Sequence, residues 1–298
     1  MMQKKDKINT RGAANTGDKP TVVVAIEQNF PKEERIIQDA IAPQILSGSG
    51  RFWVYLTKIN AIRNWMVNAS EKSIQGVWSG FLVRKRYIDE RLVQEVNQNG
   101  INAIVNLGAG FDTRLYRLPE VQHIPSWEVD QVVNINTKRE RLEKVFKEVP
   151  NHVKLVPINF LEQEIGDALQ EQGYLGEAKT FFIWEAVSQY LDETTVNKTF
   201  DFFAKAPAES KLAFTYVPKD FISGENLYGA EKFYKRAVKG KLWHFGFNPN
   251  ELAAYLNNYG WQIIEDLSYV ELNNRYVRPT GRKLGVLKIE RMVYAEKL

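Results

Sequence analysis

The sequence predicts an α/β fold: a doubly wound, mostly parallel sheet with an antiparallel edge strand, an N-terminal helical cap and a helical lid insertion. Three observations predict it. From Ile101 onward, short apolar runs alternate with helical stretches, the pattern of strands covered by helices on both faces. The first apolar run ends abruptly in Gly108-Ala109-Gly110, a tight turn from a strand into a helix. The last two strand-like runs, 261–267 and 291–294, have no crossover helix between them, which predicts antiparallel pairing.

Before the alternation, residues 21–26 form a short apolar run that suits an edge strand or the start of a helix. Residues 33–47 read as a helix, with Ile36, Ile37, Ala40, Ile41 and Ile45 at helical spacing. Residues 51–69 read as a second helix, whose apolar stripe is Phe52, Tyr55, Leu56, Ile59, Ile62 and Met66. A third covers 80–97 and carries Arg84, Lys85, Arg86, Asp89, Glu90 and Arg91, a charge run that commonly marks a solvated face.

The strands then follow in order: Ala103–Leu107, 126–129 closing on Asp130, 153–157, Thr180–Trp184 and 211–217. Between them lie a short helix stopping at Pro119 and helices at 136–149, 161–173 and 194–205. After the fifth strand comes the insertion, 218–248, then a helix at 249–259. We expect residues 1–20 to be a disordered tail and 21–298 one domain. Within it, 21–99 form the cap, 100–217 the ligand-binding core, 218–248 the lid and 249–298 the closing helix and strands.

Composition removes several function classes. The chain has 298 residues, no cysteine and a net charge of +4. Disulfides, thiolate metal sites and cysteine nucleophiles are excluded. His123, His152 and His244 show no paired spacing, so no metal site is expected. Basic residues are scattered among acids, against a nucleic-acid role. No apolar stretch reaches a membrane span or a secretory signal, and a cytoplasmic location is expected.

In a doubly wound sheet, ligands bind at the carboxyl ends of the strands. The first strand ends in Gly108, Ala109 and Gly110, with Asp112 at the start of the next helix. The second ends in Asp130 and Gln131, the third in Asn159 and Phe160, and the fourth in Glu185. An acid in the place of Asp130 suits two ribose hydroxyls. Asn159 and Phe160 offer an amide edge and an apolar ring, which suits adenine. The dinucleotide fingerprint wants glycine where Thr113 stands, and Asp112 would repel a pyrophosphate. Those points favour a nucleoside with a cationic amino-acid tail.

The segments 80–84, 105–114, 128–130 and 184–191 together resemble the leucine carboxyl methyltransferase family, and within it the bacterial polyketide-type O-methyltransferases. The resemblance runs from about Val24 to the C-terminus. It implies a Rossmann-like fold and S-adenosyl-L-methionine as cofactor. Carried over, Arg84 pairs with the cofactor's methionine carboxylate, and Gly108 and Gly110 line its methionine moiety. Asp130 holds the ribose, Asn159 and Phe160 flank the adenine, and Glu185 lies near the amino-acid part. Asn159 departs from the family pattern, which has Asp there; its carbonyl still accepts from the adenine amino group, so weaker or altered binding is expected.

The acceptor is less defined. A carboxylate acceptor needs no general base, whereas a hydroxyl calls for one. The candidates are Tyr190, His244 and Tyr216, of which Tyr190 and His244 are carried forward as catalytic. The insertion mixes Tyr228, Phe233, Tyr234, Trp243 and Phe245 with Lys232, Lys235, Lys239 and Lys241. That composition suits a lid over a small apolar acceptor, or a basic face for a carrier protein. C- or N-methylation and a non-catalytic cofactor-binding role are the alternatives.

Overall fold

The computed structural model describes residues 18–159 and 162–298. Seven strands form one sheet in the order β3-β2-β1-β4-β5-β7-β6. They are β1 (Ala103–Leu107), β2 (Ser126–Gln131), β3 (Val153–Ile158), β4 (Thr180–Trp184), β5 (Lys211–Tyr216), β6 (Trp261–Ser268) and β7 (Arg291–Lys297). The first five pair in parallel, and β7 runs antiparallel to both β5 and β6. The antiparallel element thus stands at the β6 end, one strand in from the edge.

The period-two alternation of the strands builds two cores. Phe181 and Ile183 face one, with Ile104 and Ala213; Phe182 and Trp184 face the other, with Val105, Leu107 and Phe214. The helices before β1 are α1 (Asp18–Glu27), α2 (Ala42–Ile45), α3 (Gly48–Leu56), α4 (Asn60–Ser73) and α5 (Val77–Gln98). After it come α6 (Arg114–Arg117), α7 (Val132–Phe146), α8 (Ile165–Gln170), α9 (Glu193–Ala204), α10 (Lys219–Ser223), α11 (Glu231–Ala237), α12 (Leu252–Asn257) and α13 (Tyr269–Tyr276). Helices α1, α5, α7, α11 and α13 contribute to the first core, and α8, α9 and α12 to the second.

The N-terminal hundred residues depart from expectation in four places. Residues 18–20 of the expected tail begin α1, where Asp18 pairs with Arg141 at 2.5 Å and Pro20 sits in the first turn, which tolerates it. Residues 1–17 of that tail lie outside the described residues. The helix expected over 33–47 is absent apart from a 3₁₀ turn at Lys32–Glu34 and the four residues of α2. Ile36, Ile37, Ile41 and Ile45 are buried as a helix stripe would be. The backbone there is mostly irregular, stitched by side chains instead. Gln28 Oε1 accepts from the Asp39 N–H, and Asp39 Oδ1 accepts from the N–H groups of Ile41 and Ala42. Pro43 adds no donor.

The expected helix over 51–69 breaks into α3 and α4 at Thr57. The Thr57 hydroxyl bonds the Val54 carbonyl, and Asn29 donates to both. Its expected stripe points the wrong way: Phe52, Tyr55 and Ile59 are 58%, 63% and 56% exposed, while Val54, Arg63 and Val67 are buried. The charge run on α5 is also not a solvated face. Arg84, Lys85 and Asp89 are buried, and only its outer members, such as Arg86 and Glu90, reach solvent appreciably. Finally, α13 intervenes between β6 and β7, where no helix was expected.

The insertion after β5 closes on itself: Pro218 bridges Phe247, and Phe247 donates to the Val217 carbonyl. Phe221 from α10 and Tyr234 from α11 are buried in the first core, with Phe221 edge-on to Tyr234 and Trp243.

Candidate active site

Register brings the strand ends together. Leu107 lies opposite Val129, and Asn106 opposite Ile183, so the segments following β1, β2 and β4 emerge side by side. The turn after β1 is anchored beneath by the N–H groups of Gly108 and Ala109, which both donate to the Val129 carbonyl. The Gly110 N–H donates instead to Asp130 Oδ2 at 2.7 Å, tying the turn to the end of β2. Asp130 Oδ1 accepts from the Gln131 N–H and from Asn134 Nδ2. A carboxylate has about four acceptor positions, so three protein donors leave room for one more.

Both glycines have positive φ, +70° at Gly108 and +47° at Gly110. Their surroundings differ. A Cβ at Gly108 would stand 2.3 Å from Val187 Cγ2, whereas one at Gly110 would meet nothing. Gly108 is therefore required for packing against the segment after β4, and Gly110 keeps an open approach beside Asp130. Gly108→Ala is expected to cost about 1–3 kcal/mol of stability, through backbone strain and the collision together. Gly110→Ala, with backbone strain but no collision, should cost about 1–2 kcal/mol while weakening ligand binding. Urea denaturation and calorimetry on the two variants check this; a larger stability loss at Gly110 than at Gly108 would reverse the assignment.

Next to the turn lies a buried charge network. Arg84 Nε donates to Glu185 Oε1 at 2.8 Å, and Arg84 Nη1 to Glu290 at 3.1 and 3.3 Å. Lys85 bridges Asp112 at 2.7 Å and Glu185 at 3.3 Å. Arg114, fully buried, reaches Asp112 and Glu185 at 2.9 and 2.7 Å. Arg117 joins Asp89 and Asp39 behind them. Burial alone would raise Asp112, but Arg114 and Lys85 outweigh it and hold the carboxyl well below its usual range. Glu185 is lowered for the same reasons, with burial opposed by Lys85, Arg84 and Arg114. Both stay ionised. Burial raises Asp89 despite Arg117 and Arg114. A narrow crevice beside Asp112 is lined by Val24, Asp39, Lys85, Phe111 and Arg117, among others, so α1 roofs this end of the site.

The structure therefore brings together Arg84, Gly108, Ala109, Gly110, Asp112, Asp130, Gln131 and Glu185. Asn159 follows β3, exposed, with its N–H donating to Gln163 Oε1. Phe160 lies outside the described residues. Tyr190 stands in a 3₁₀ turn after β4, its ring edge-on to Trp243 at 6.2 Å. His244 is exposed, and its backbone N–H donates to the Gln189 carbonyl at 2.7 Å, which sets it beside Tyr190. Tyr216 is excluded as a base facing the acceptor: it is fully buried in the second core, its hydroxyl bonded to Asp266.

Sequence reasoning missed Lys85, Arg114 and Glu290. Lys85 was legible only as part of the charge run. Arg114 closes the segment 105–114 but has no role legible in the sequence. Glu290 had no local signal at all.

Sheet order and the glycine turn after β1 define a doubly wound α/β fold whose ligand-binding edge lies at the carboxyl ends of the strands. The fold is similar to that of a provisionally named methyltransferase from Thermobifida fusca, with TM-score 0.57 at 12% identity over 79% of this chain and 88% of that one. It is also similar to a DUF574 family protein from Streptomyces avermitilis, with TM-score 0.55 at 13% identity over 80% and 91%.

The chain belongs to the leucine carboxyl methyltransferase family, which residues 19–204 match. Among its relatives, a Mycobacterium avium protein is 26% identical over 89% of this chain and 88% of its own length. Bacillus subtilis YktD is 26% identical over 72% of each. Both carry the provisional name of S-adenosyl-L-methionine-dependent methyltransferase.

Proposed function

We propose that this protein is an S-adenosyl-L-methionine-dependent methyltransferase acting on an oxygen of a small molecule. The observation that carries the cofactor is the adjacency of two unlike features. Asp130, tied to the Gly110 N–H, offers a ribose acceptor. The buried Arg84–Glu185 pair, with Lys85 and Asp112, offers both charges to a zwitterionic amino-acid end. A dinucleotide would need neither that pair nor Thr113 in place of glycine.

These residues fit the cofactor. Arg84 and Lys85 would take its carboxylate, Glu185 and Asp112 would face its ammonium, Asp130 would hold the ribose, and the stretch at Asn159 would border the adenine. When bound, S-adenosyl-L-methionine supplies a methyl group on a sulfonium leaving group. The chain's own contribution is then orientation and exclusion of water by α1 and the insertion.

Oxygen as acceptor atom is supported by the family description, which names a carboxyl. It is also supported by Tyr190 and His244 standing together beside the aromatic residues Trp243 and Phe233. A carboxylate acceptor needs no base; for a hydroxyl, His244 or Tyr190 would take the proton. An apolar secondary metabolite, free or on a carrier protein, suits the aromatic and lysine-rich insertion. Tritiated methyl transfer from S-adenosyl-L-methionine to a panel of carboxylic acids, phenols and amines tests this. Base-labile or phenolic label supports it; label confined to nitrogen or carbon overturns the oxygen assignment, and no binding of the donor overturns the whole.

Cofactor affinity should depend on pH through Asp130. Burial raises this carboxyl above its usual range, against the lowering by Asn134 and the N–H groups of Gly110 and Gln131. A raised folded pKa means that folding favours the protonated form. That contribution to stability is full at low pH and is lost as pH rises through the folded pKa. Ribose binding runs the other way, because the acceptor is the carboxylate. As pH falls, affinity should begin to drop above the ordinary aspartate value of about 3.9. Calorimetry with S-adenosylhomocysteine from pH 8 downward, on the order of half a unit per step, reads this; an affinity flat into the ordinary range would refute it.

A further inference from the structure

We infer that Glu290 is a positioning residue that sets the specificity of this site for the amino-acid end of its cofactor, an inference that rests on the cofactor reading above. Glu290 is buried, immediately before β7 and outside the stretch that matches the family. It accepts four hydrogen bonds from three elements, α5, β5 and α13. Its Oε2 accepts from Tyr269 OH at 2.8 Å and Arg84 Nη1 at 3.1 Å. Its Oε1 accepts from Thr215 Oγ1 at 2.9 Å and again from Arg84 Nη1 at 3.3 Å. The Thr215 oxygen in turn accepts from the Ala186 N–H at 2.8 Å.

That last bond links Glu290 to Glu185. Ala186 has φ +58°, a left-handed conformation that costs a residue with a Cβ about 1–2 kcal/mol. The Thr215 hydroxyl, oriented by donating to Glu290, leaves its lone pair for the Ala186 N–H. The Ser188 hydroxyl fixes the same strand end by donating to the Thr215 carbonyl. The conformation of Ala186 directs the preceding residue, so Glu290 orients both members of the charge pair. It touches Arg84 directly and reaches Glu185 through Thr215 and Ala186. Arg84 thus has a carboxylate of its own behind it, so that binding an incoming carboxylate leaves the guanidinium anchored from the rear. Tyr269 stays a donor, because burial and then Glu290 push its hydroxyl well above the usual range.

Glu290→Gln, which keeps size and acceptor oxygen but loses the charge facing Arg84, separates positioning from packing. Calorimetry compares S-adenosylhomocysteine, which has the amino-acid end, with methylthioadenosine, which lacks it. The variant should weaken S-adenosylhomocysteine about tenfold or more, the scale of a disturbed charge-assisted pair, and methylthioadenosine less than about twofold. Glu290→Asp, keeping the charge, should recover part of the loss. If Glu290→Gln fails to fold, Thr215→Val against Thr215→Ser carries the same test, the hydroxyl-free variant alone showing the selective loss. Equal weakening of both ligands, or of neither, overturns the positioning role while leaving the cofactor reading standing. Failure of the unmodified protein to bind S-adenosylhomocysteine overturns that reading instead.

Discussion

Asp130→Ala is expected to lower affinity for S-adenosylhomocysteine by about 10- to 150-fold, because the one hydrogen bond left open on this buried charged acceptor contributes roughly 1.5–3 kcal/mol. The carboxylate is the one acid at the end of β2 and is already held by three protein donors, which fix its direction. Removing it also leaves the N–H groups of Gly110 and Gln131 without their acceptor, so the glycine turn loosens as the ribose contact is lost. Asp130→Asn should lose nearly as much, since its amide either forfeits the charge or turns a nitrogen toward the Gly110 N–H. Calorimetry at a temperature where circular dichroism shows both variants folded reads the effect. Undiminished binding would remove Asp130 from the cofactor site and with it the main reason for the nucleoside reading.

The part of the fold read correctly from sequence is the part whose signals are local. β1 and β4 match their expected spans because each is a run of five buried residues bounded by loop residues. The glycine turn is legible because positive φ and close approach demand glycine. The N-terminal region fails for the converse reason. Ile36, Ile37, Ile41 and Ile45 have helical spacing and are buried, yet Asp39 and Gln28 offer the backbone partners other than its own carbonyls. In α3 and α4 the residue that decides the break, Thr57, is bonded to Asn29, a contact no window around Thr57 contains. α13 was missed although Ser268-Tyr269-Val270-Glu271 has the capping-box spacing, and both bonds of that box form.

The site divides in the same way. Residues at a strand end are legible because they directly follow a buried apolar run in the chain. Arg84 came through the resemblance, but its neighbours did not. Lys85 and Asp89 lie on the side of α5 that faces the protein, while Arg86 and Glu90 reach solvent, so the usual inference from a charge run to solvent fails. Lys85 meets Glu185 and Arg84 meets Glu290, partners about 100 and 206 positions away in the chain. Such pairings come from sheet order and helix docking, which a single sequence does not display residue by residue.

Below Asp130 lies a second buried pair that should dominate stability. Lys138 Nζ on α7 is 2.6 Å from Glu128 Oε2 on β2, both side chains are fully buried, and Tyr116 OH donates to the same oxygen at 2.6 Å. This clamps α7 to β2 two residues before Asp130, while Asn134 near the start of α7 holds Asp130 itself. Lys138→Met leaves Glu128 buried without its counter-charge and should cost about 3–5 kcal/mol, the scale for breaking one side of a buried ion pair. The double variant Glu128→Leu with Lys138→Met removes both charges and should recover most of that loss. The deficit should also depend on pH. Burial already raises the Glu128 carboxyl, opposed by Lys138 and Tyr116, and losing Lys138 raises it further. A raised folded pKa favours the protonated fold, so stability of the single variant is retained below the unfolded pKa and lost as pH rises through the folded one. Urea denaturation at about pH 5 and pH 8 should therefore show the larger deficit at the higher pH; equal deficits at both would mean that the unpaired Glu128 is not their source.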